Sequence, residues 1–397
     1  MSQSTDPIVI VGAARTPMGG LLGAFSALTA PQLGATAIAA AVARSGVDPE
    51  TVSETVMGCV LPAGLGQAPA RQASLGAGLP DATGAVTVNK MCGSAMKATM
   101  LAHDTIAAGS ARVMVAGGME SMSNAPYLDT GARRGLRMGH ARLVDHMFFD
   151  GLEDAYEPGR LMGTYAEDCA EAYGFSREAQ DAYAIRSLTR AQAAIADGTF
   201  AREIAPVSVN GRKGETIYDT DEQPGQARID KIPQLRPAFR EGGTVTAANS
   251  SSISDGAAAL VLMRASEAER QGLTPLARIV GHTGFAHAPQ DFPTAPIGAM
   301  RRLSEQTGWA LSEIDLFEIN EAFAVVPMAA MHTLDLPADK VNVHGGACAL
   351  GHPIGASGAR IIVTLLNALE THDFSRGMAA ICLGGGEATA IAVERMR

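Results

Sequence analysis

Short runs of continuously apolar residues recur along the chain and constrain its fold more than any other feature. Clear examples are residues 8–11, 113–116, 258–263 and 378–383. A strand that is apolar on both faces must be covered on both faces, as in sheets flanked by helices. Stretches with helical start and stop signals, such as the Ala-rich 31–45, lie between these runs. The sequence therefore predicts an α/β fold.

The last third of the chain repeats the pattern of the first third, which indicates an internal duplication. In both thirds an apolar strand leads into consecutive glycines, Gly117-Gly118 and then Gly384-Gly385-Gly386. Between them the rhythm breaks, with a long polar helix expected over 177–196 and a hydrophilic loop over 211–225. The expected units are an N-terminal half at 1–123 (completed by about 250–275), an inserted loop domain at 124–249 and a C-terminal half at 276–397.

Charge and hydropathy exclude several classes of partner. The formal net charge is −10, and no basic run with interleaved aromatic residues is present, so nucleic acid is not an expected partner. No apolar run reaches membrane-spanning length, and the polar residues 1–7 do not resemble a signal or transit peptide. We therefore expect no membrane association and a cytoplasmic location.

Five cysteines are spread along the chain without a C-x-x-C pattern, so the sequence predicts neither a metal site nor a disulfide framework. One of them, Cys92, follows a predicted strand at 85–88 and precedes a helix of small residues. Free N–H groups and the helix dipole at such a position favour the thiolate, which is the nucleophilic form. The competing interpretation is a small buried apolar residue, a common environment for a free cysteine.

Two further residues that could carry chemistry lie near the C-terminus. His352 is on a glycine-rich loop, held by Pro353, before a helix expected to begin at about Ser357. It could take part in a reaction or simply brace a tight turn. Cys382 ends a strand and is followed by three glycines, whose N–H groups could stabilise an oxyanion.

A third strand end carries Asn320 and Glu321, at the edge where α/β sheets hold their ligands. Two cysteines, a histidine and an amide at strand ends suit acyl transfer through a thioester. One thiolate accepts the acyl group, the second cysteine moves a proton, and the histidine and N–H groups hold the oxyanion.

Six motifs resemble those of the thiolase family, and the similarity runs nearly end to end, in particular to acetyl-CoA C-acetyltransferases (acetoacetyl-CoA thiolases). The resemblance implies a five-layered αβαβα fold of two duplicated βαβαβ-type halves with an inserted loop domain. It implies a reversible Claisen condensation of two acetyl-CoA to acetoacetyl-CoA and CoA, or the reverse thiolysis. The motifs are Arg15-Thr16-Pro17 and residues 88–98, 117–123, 320–324, 351–358 and 382–386.

The resemblance also implies roles for individual residues. Cys92 matches the nucleophile that is acylated, and His352 the residue that activates it and polarises the thioester oxygen. Cys382 matches the acid/base that acts at the α-carbon. Asn320 matches a residue whose bound water completes one oxyanion hole with His352, and the N–H groups of Cys92 and Gly384 match the other hole.

Coenzyme A thioesters are the substrates that the resemblance implies, namely acetyl-CoA and 3-ketoacyl-CoA, without a bound cofactor or metal. Members of the family are dimers or dimers of dimers, and we expect a homotetramer. The positions that match contacts of the coenzyme A arm are Leu152, Met162, Phe239, Ala247, Ser251 and Phe323.

Departures from the family pattern bear on specificity. Leu161 stands where many acetoacetyl-CoA thiolases have His, which leaves open a 3-ketoacyl-CoA thiolase of broader chain length in fatty-acid β-oxidation. Phe292-Pro293 resembles a pair found in relatives that accept a 2-methyl branch. That subgroup is potassium-activated, but Gln226 stands at its Tyr ligand, which argues against potassium here. Cys382 argues against a decarboxylating ketosynthase, and a non-catalytic acyl-CoA-binding relative is the remaining alternative.

Overall fold

A computed structural model describes residues 6–212 and 214–396. Residues 1–5 of the polar N-terminus, together with Lys213 and Arg397, lie outside the described residues. The strands are β1 (Ile8–Arg15), β2 (Gly19–Gly20), β3 (Glu54–Gly58), β4 (Gly84–Val88), β5 (Val113–Ser121), β6 (Tyr127–Leu128), β7 (Val144–Asp145), β8 (Val207–Gly211), β9 (Gly214–Tyr218), β10 (Ser254–Arg264), β11 (Ala277–Ala286), β12 (Leu316–Ile319), β13 (Arg376–Leu383) and β14 (Glu387–Arg395).

Helices occupy much of the remaining chain. They are α1 (Ala30–Ser45), α2 (Pro69–Gly76), α3 (Ser94–Ala107), α4 (Met162–Tyr173), α5 (Arg177–Ala196), α6 (Glu222–Gln226), α7 (Ala265–Arg270), α8 (Ala295–Thr307), α9 (Val325–Leu334), α10 (Ala347–Leu350) and α11 (Ser357–Thr371). None of the helices within 6–212 and 214–396 combines the length and the apolar character needed to cross a membrane.

The main sheet has two similar halves in the order β4-β3-β5-β10-β1 and β11-β14-β13-β12. In the first half β4, β3 and β5 are parallel, whereas β10 and β1 run antiparallel to their neighbours. In the second half β12 and β13 are parallel, and β14 and β11 are antiparallel. At the position that β4 occupies in the first half, the second half has only an isolated parallel bridge between Phe317 and Val341. The halves meet where β1 pairs briefly with β11, so the predicted duplication is confirmed.

Helices α3 and α11 lie side by side between the two halves of the sheet and contact both. Their apolar residues share one buried cluster with both halves, including Met96, Leu260, Ile361 and Ile381. Helices α1 and α2 cover the outer face of the first half, and α8 and α9 cover that of the second. Burial of each large apolar side chain of this kind contributes about 1.5–3 kcal/mol to the stability of the folded state. The five layers expected from the sequence are present.

Strand β5 continues to Ser121, so the predicted end of this strand at residue 116 is wrong. The glycines mark close approach inside the strand instead of its end. A Cβ on Gly117 would lie 2.1 Å from the carbonyl oxygen of Ala258, and one on Gly118 would lie 2.0 Å from that of Gly355. Neighbouring chain therefore packs directly against the backbone of β5.

The segment between β5 and β10 holds α4, α5 and the hairpin of β8 and β9. The prediction of a loop over 211–225 is wrong, because this stretch contains β9 and α6. Most of β9 is exposed on both faces, including Ile217, so its residues lack the apolar alternation that predicts a strand.

Buried Arg15 attaches this segment to the first half. Its guanidinium donates to Glu203 at 2.5 Å and to both carboxylate oxygens of Asp221 at 2.7 and 2.9 Å. All three side chains are excluded from solvent. Because removal of one partner would leave an unpaired buried charge, this ion group holds the segment firmly.

Candidate active site

A cavity of about 350 Å³ opens where both halves of the sheet and the inserted segment meet. Asn320 and Glu321, the candidates at the third strand end, do not line it. The residues predicted to react and those predicted to contact coenzyme A otherwise come together here. They are Cys92, His352, Cys382 and Gly384, with Leu152, Met162, Phe239, Ala247, Ser251 and Phe323.

Cys92 lies in the turn between β4 and α3, two residues before the helix begins. Ser94 fixes this turn, because its hydroxyl accepts from the N–H of Lys90 at 2.8 Å and donates to the carbonyl of Met91 at 2.6 Å. Met91 itself has a positive φ of 47°, a conformation that costs energy for a side chain of this size. The turn thereby presents the sulfur of Cys92 to the cavity.

Burial raises the pKa of the Cys92 thiol to about 12. The N–H groups of Cys92 and Gly384 point at the sulfur and act in the opposite direction, but they do not compensate for the loss of solvent. The expectation that the helix terminus favours a thiolate in the resting protein is therefore wrong. Deprotonation of Cys92 requires a base.

His352, which lines the same cavity, has the features of such a base. Its Nδ1 lies 2.5 Å from the hydroxyl of Ser357, which donates its own hydrogen to the carbonyl of Pro353 at 2.9 Å. The hydroxyl must therefore accept from Nδ1–H, which leaves Nε2 with a free lone pair. Within the described residues Nε2 has no hydrogen-bond partner. Burial, and then the charge of Arg360, lower the pKa of His352 to about 3, so the imidazole is neutral.

Glu120, a residue not predicted to belong to the site, braces the loop that carries His352. Its carboxylate accepts from the N–H groups of Val60 and Gly355, both at 2.9 Å, and of Leu61 at 3.1 Å. Burial raises the pKa of Glu120 to about 7, although these N–H groups oppose the shift. Its place in the motif of residues 117–123 is the only sequence signal for this function.

Cys382 is the penultimate residue of β13 and is almost fully buried. Burial, and next the electrostatic interaction with Cys92, raise its pKa well above the usual range. Cys382 therefore holds its proton in the resting protein. The glycines that follow make a tight turn into β14, a strand absent from the sequence predictions, and this turn directs the N–H of Gly384 at Cys92.

Asn320 and Glu321 lie behind the cavity instead of on its wall. Asn320 is fully buried, its Oδ1 is 3.4 Å from Arg360, and its Nδ2 has no hydrogen-bond partner among the described residues. Glu321 accepts from the hydroxyls of Tyr183 at 2.8 Å and Ser187 at 2.7 Å. Glu321 therefore joins the second half to α5, which is a positioning role.

The wall opposite the cysteines is apolar. Leu161 and Phe292 line it, and the ring of Phe323 contacts those of Phe239 and Phe292 with centroids 5.8 and 6.4 Å apart. Other apolar lining residues were not predicted; they are Phe148 and Ile253, which carry no recognisable sequence signal, and Ile354, which lies within the motif of residues 351–358.

A second pocket of about 270 Å³ adjoins the cavity at Ala247, which lines both. Arg228 and Lys231 lie along this pocket and are exposed. The two hollows together combine an apolar channel with a basic entrance, an arrangement that suits a long ligand with an anionic end.

Two family models match the chain. The model described as the N-terminal domain of thiolase matches residues 8–266. The model described as the C-terminal domain of thiolase matches residues 273–395.

Proteins named acetyl-CoA acetyltransferase are similar to the chain over almost its whole length. Acetyl-CoA acetyltransferase 2 of Arabidopsis thaliana is 51% identical, with 99% of this chain and 98% of that protein covered. Acetyl-CoA acetyltransferase of Cupriavidus necator is 49% identical, with 98% of this chain and 99% of that protein covered.

Solved structures are similar over almost the whole chain as well, at lower sequence identity. A thiolase from Ascaris suum in complex with coenzyme A has a TM-score of 0.93 and 42% identity, and covers 98% of this chain and 100% of that one. Acetyl-CoA acetyltransferase of Bacillus anthracis has a TM-score of 0.96 and 39% identity, and all of both chains is covered. The expected five-layered fold is confirmed.

Proposed function

The chain belongs to the thiolase family, and we propose that it is an acetyl-CoA C-acetyltransferase working through an acetyl-Cys92 intermediate. It condenses two acetyl-CoA to acetoacetyl-CoA and CoA, or catalyses the reverse thiolysis. One observation carries the proposal: a neutral His352 with a free Nε2 shares a cavity with two protonated cysteines.

In the first step the sulfur of Cys92 attacks the carbonyl carbon of acetyl-CoA while His352 Nε2 takes the thiol proton. The N–H groups of Cys92 and Gly384 receive the negative charge that develops on the carbonyl oxygen. The C–S bond to coenzyme A then breaks. Cys382 gives its proton to the departing CoA thiolate, so that free CoA leaves and Cys382 becomes a thiolate.

In the second step this thiolate removes a methyl proton from another acetyl-CoA, and the enolate attacks acetyl-Cys92. A thiol whose pKa is raised forms a more basic thiolate, which suits removal of a weakly acidic proton. His352 returns its proton to the Cys92 sulfur as acetoacetyl-CoA forms. In our proposal Asn320 lies behind His352 and holds, with its free Nδ2, a water that hydrogen-bonds to the enolate oxygen.

Coenzyme A is placed with its pantetheine arm in the apolar channel and its phosphates beside Arg228 and Lys231. The channel is the one that Leu152, Met162 and Phe239 line, and the two cations border the adjoining pocket. Arg228 is already paired with Asp230 at 3.2 Å. Binding of the phosphates therefore exchanges one ion pair for another and contributes modest affinity.

A homotetramer in the cytoplasm, without a tightly bound cofactor, completes the proposal. Edge strand β4 ends the first half of the sheet, with Val86 43% exposed, and such an edge suits pairing with a second copy. Within the inserted segment Met138 and Tyr156 are also largely exposed, which supports a further apolar contact. The division at 124–249 into halves and loop domain is likewise our proposal.

The deciding experiment is CoA-dependent thiolysis across 3-ketoacyl-CoA substrates of increasing length, with 2-methylacetoacetyl-CoA included. We expect a sharp preference for acetoacetyl-CoA, because a cavity of about 350 Å³ must hold the pantetheine arm as well as the acyl chain. Rates that hold or rise with chain length would instead indicate a 3-ketoacyl-CoA thiolase of broad range. Absence of thiolysis with every substrate would indicate a non-catalytic acyl-CoA-binding protein.

A further inference from the structure

Two histidines and an aspartate meet on the side of the molecule where the two halves join. His103 and Asp104 are consecutive residues near the C-terminal end of α3, in the first half. His282 belongs to β11, in the second half. None of the three lines the catalytic cavity. Cys92 lies before the start of α3 at Ser94, and His103 is nine residues beyond Ser94, about 14 Å along the helix axis, so the cluster is separate from the reacting groups.

The three ligand-type atoms form a nearly equilateral triangle. Nδ1 of His103 lies 3.1 Å from Nε2 of His282, and each of these nitrogens lies 3.0 Å from Oδ1 of Asp104. The two imidazole rings are almost perpendicular, at 83°, and the three ligand-type atoms lie close enough together for a single ion to reach all of them. The imidazoles are mostly buried, whereas Asp104 is more than half exposed.

Hydrogen bonds alone cannot satisfy this triangle. An imidazole nitrogen either donates or accepts, and an ionised carboxylate only accepts. If both nitrogens donate to Asp104, two N–H groups face each other across the third side. If one nitrogen donates to the other, the accepting nitrogen faces the carboxylate oxygen, lone pair to lone pair. With the carboxylate ionised, every placement of the protons therefore leaves one side of the triangle, about 3 Å long, between two N–H groups or between two lone pairs.

A cation removes this conflict, because all three atoms can then direct lone pairs at it. From this geometry we infer that His103, Asp104 and His282 bind a divalent transition-metal ion of the zinc type. Such an ion lies about 2.1 Å from each ligand and fits over a triangle with sides of about 3 Å. Two imidazoles and one carboxylate are a ligand set that zinc accepts, with water completing its coordination on the exposed side.

The ion would link α3 of the first half to β11 of the second. Its expected effect is on stability and not on turnover, since an ion that binds only the folded chain raises the melting temperature with its concentration. This site departs from the sequence analysis, which predicted no metal. Residues 179 apart in sequence, as His103 and His282 are, show no local ligand spacing.

The test uses the EDTA-treated full-length protein with ZnCl₂ and CoCl₂ as probes. We expect one Zn²⁺ per chain and a melting temperature that rises with Zn²⁺. Replacement of a ligand in His282→Gln, His103→Gln or Asp104→Asn should weaken zinc binding by at least the roughly 10–100-fold known for outer-shell partners. His140→Gln, which changes an exposed histidine of the inserted segment, serves as the matched control and should bind like the wild type.

Cobalt distinguishes this site from the cysteines of the cavity. Co²⁺ held by nitrogen and oxygen gives visible d–d bands without the ultraviolet charge-transfer band of a cobalt thiolate. The exposed Asp104→Asn variant keeps the test valid if His282→Gln folds poorly, and far-UV circular dichroism checks each variant. Absence of zinc binding, equal binding by Asp104→Asn, or a thiolate band as the only cobalt signal would overturn the assignment.

Discussion

The two halves of the molecule share one topology, but the connection between two equivalent strands is long in the first half and short in the second. In the first half, residues 122–253 join β5 to the antiparallel strand β10. In the second half, Gly384, Gly385 and Gly386 alone join β13 to β14. The long connection supplies most of the apolar wall over the cavity. The short one supplies an N–H group directed at Cys92.

The difference shows how the two copies of a duplicated unit can take on different structural roles. One copy of the connection grew into a cover that can hold a long substrate, and the other stayed tight enough to fix backbone donors. The same division separates the groups proposed to react. Cys92 lies in the turn before the middle-layer helix of the first half, whereas His352 and Cys382 belong to the second. In the proposed mechanism each half is therefore chemically incomplete alone.

Replacement of the cysteines tests this division and has the largest expected effect. Cys92→Ala should lower kcat by about 10⁴-fold or more, because the nucleophile is lost. Cys382→Ala should lower turnover by about 10²–10⁴-fold, yet still form the acetyl-enzyme. Mass spectrometry after incubation with acetyl-CoA should find one added acetyl group on Cys382→Ala and none on Cys92→Ala.

Cys169→Ala is the matched control, since Cys169 is a buried cysteine of α4 outside the cavity lining. It should keep both acetylation and turnover near the wild-type level. Stable acetylation of Cys92→Ala at Cys382 would contradict the division, because the second half would then carry a nucleophile as well.

Alkylation against pH tests the state of Cys92 in the free protein. With a pKa of about 12, its thiolate fraction should rise about tenfold per pH unit, so iodoacetamide labelling should accelerate roughly 10³-fold from about pH 7 to about pH 10. His352 is neutral throughout this range and adds no step. Peptide mapping of the labelled cysteine gives the rate, with N-acetylcysteine as the reference thiol. A plateau already reached near pH 7 would mean that the helix terminus outweighs burial.

The glycine turn of the second half can be changed without touching a reacting side chain. Gly386 has a φ of 79°, and a Cβ there would lie 2.5 Å from the carbonyl oxygen of Ala288. Gly386→Ala must therefore shift the turn and with it the N–H of Gly384, and kcat/KM should fall by about 10²-fold. Gly308→Ala introduces similar strain, at φ 72°, with no atom in the way. We expect steady-state kinetics of that control to match the wild type; equal losses in both variants would point to general destabilisation.

Much of the architecture could be predicted because it depends on local signals. The predicted helix over 177–196 has the bounds Arg177–Ala196 in the structure, and the helix expected from about Ser357 begins at that residue. The predictions that failed concern properties that contacts between distant residues determine. The raised pKa of Cys92 results chiefly from burial in the folded chain, and no local pattern in the sequence indicates that burial. Strand β9 is exposed, so it lacks the alternation by which strands are recognised.

The candidate site shows the same limit. Local patterns singled out Cys92, His352 and Cys382 as reactive residues, and their placement at strand ends and loops already suited one acyl-transfer site; the family resemblance added the role of each residue. Glu120 was missed because the N–H of Gly355, which it accepts, is 235 residues away along the chain. Ile253 lines the cavity but was missed, because a single apolar residue in a segment between strands gives no sequence signal of function.

Glu120 provides the smallest and most selective test, since this residue of the first half braces the His352 loop of the second. An amide in place of its carboxylate must turn an NH₂ group toward a backbone N–H, so Glu120→Gln should lower kcat about tenfold by loosening that loop. The same variant should change the pH dependence of stability. The pKa of Glu120 is raised to about 7, so the folded state holds an extra proton and the unfolding free energy falls by a few kcal/mol as pH rises from about 4.5 through about 7.

Urea midpoints across this pH range should show that fall in the wild type and a flatter profile in Glu120→Gln. Glu267→Gln is the informative control, because hydrogen bonds, first from Arg270, lower the pKa of Glu267 to about 2. The stability that ionised Glu267 contributes is present above about pH 4.5 and is lost in acid, which is opposite in sign to the effect of Glu120. The Glu267→Gln variant should therefore keep the fall in unfolding free energy between about pH 4.5 and about pH 7. An unchanged slope in Glu120→Gln would show that Glu120 is ionised in the folded protein at all these pH values. The link between the halves would then be an ion held by three N–H groups, and the loss of activity should exceed tenfold.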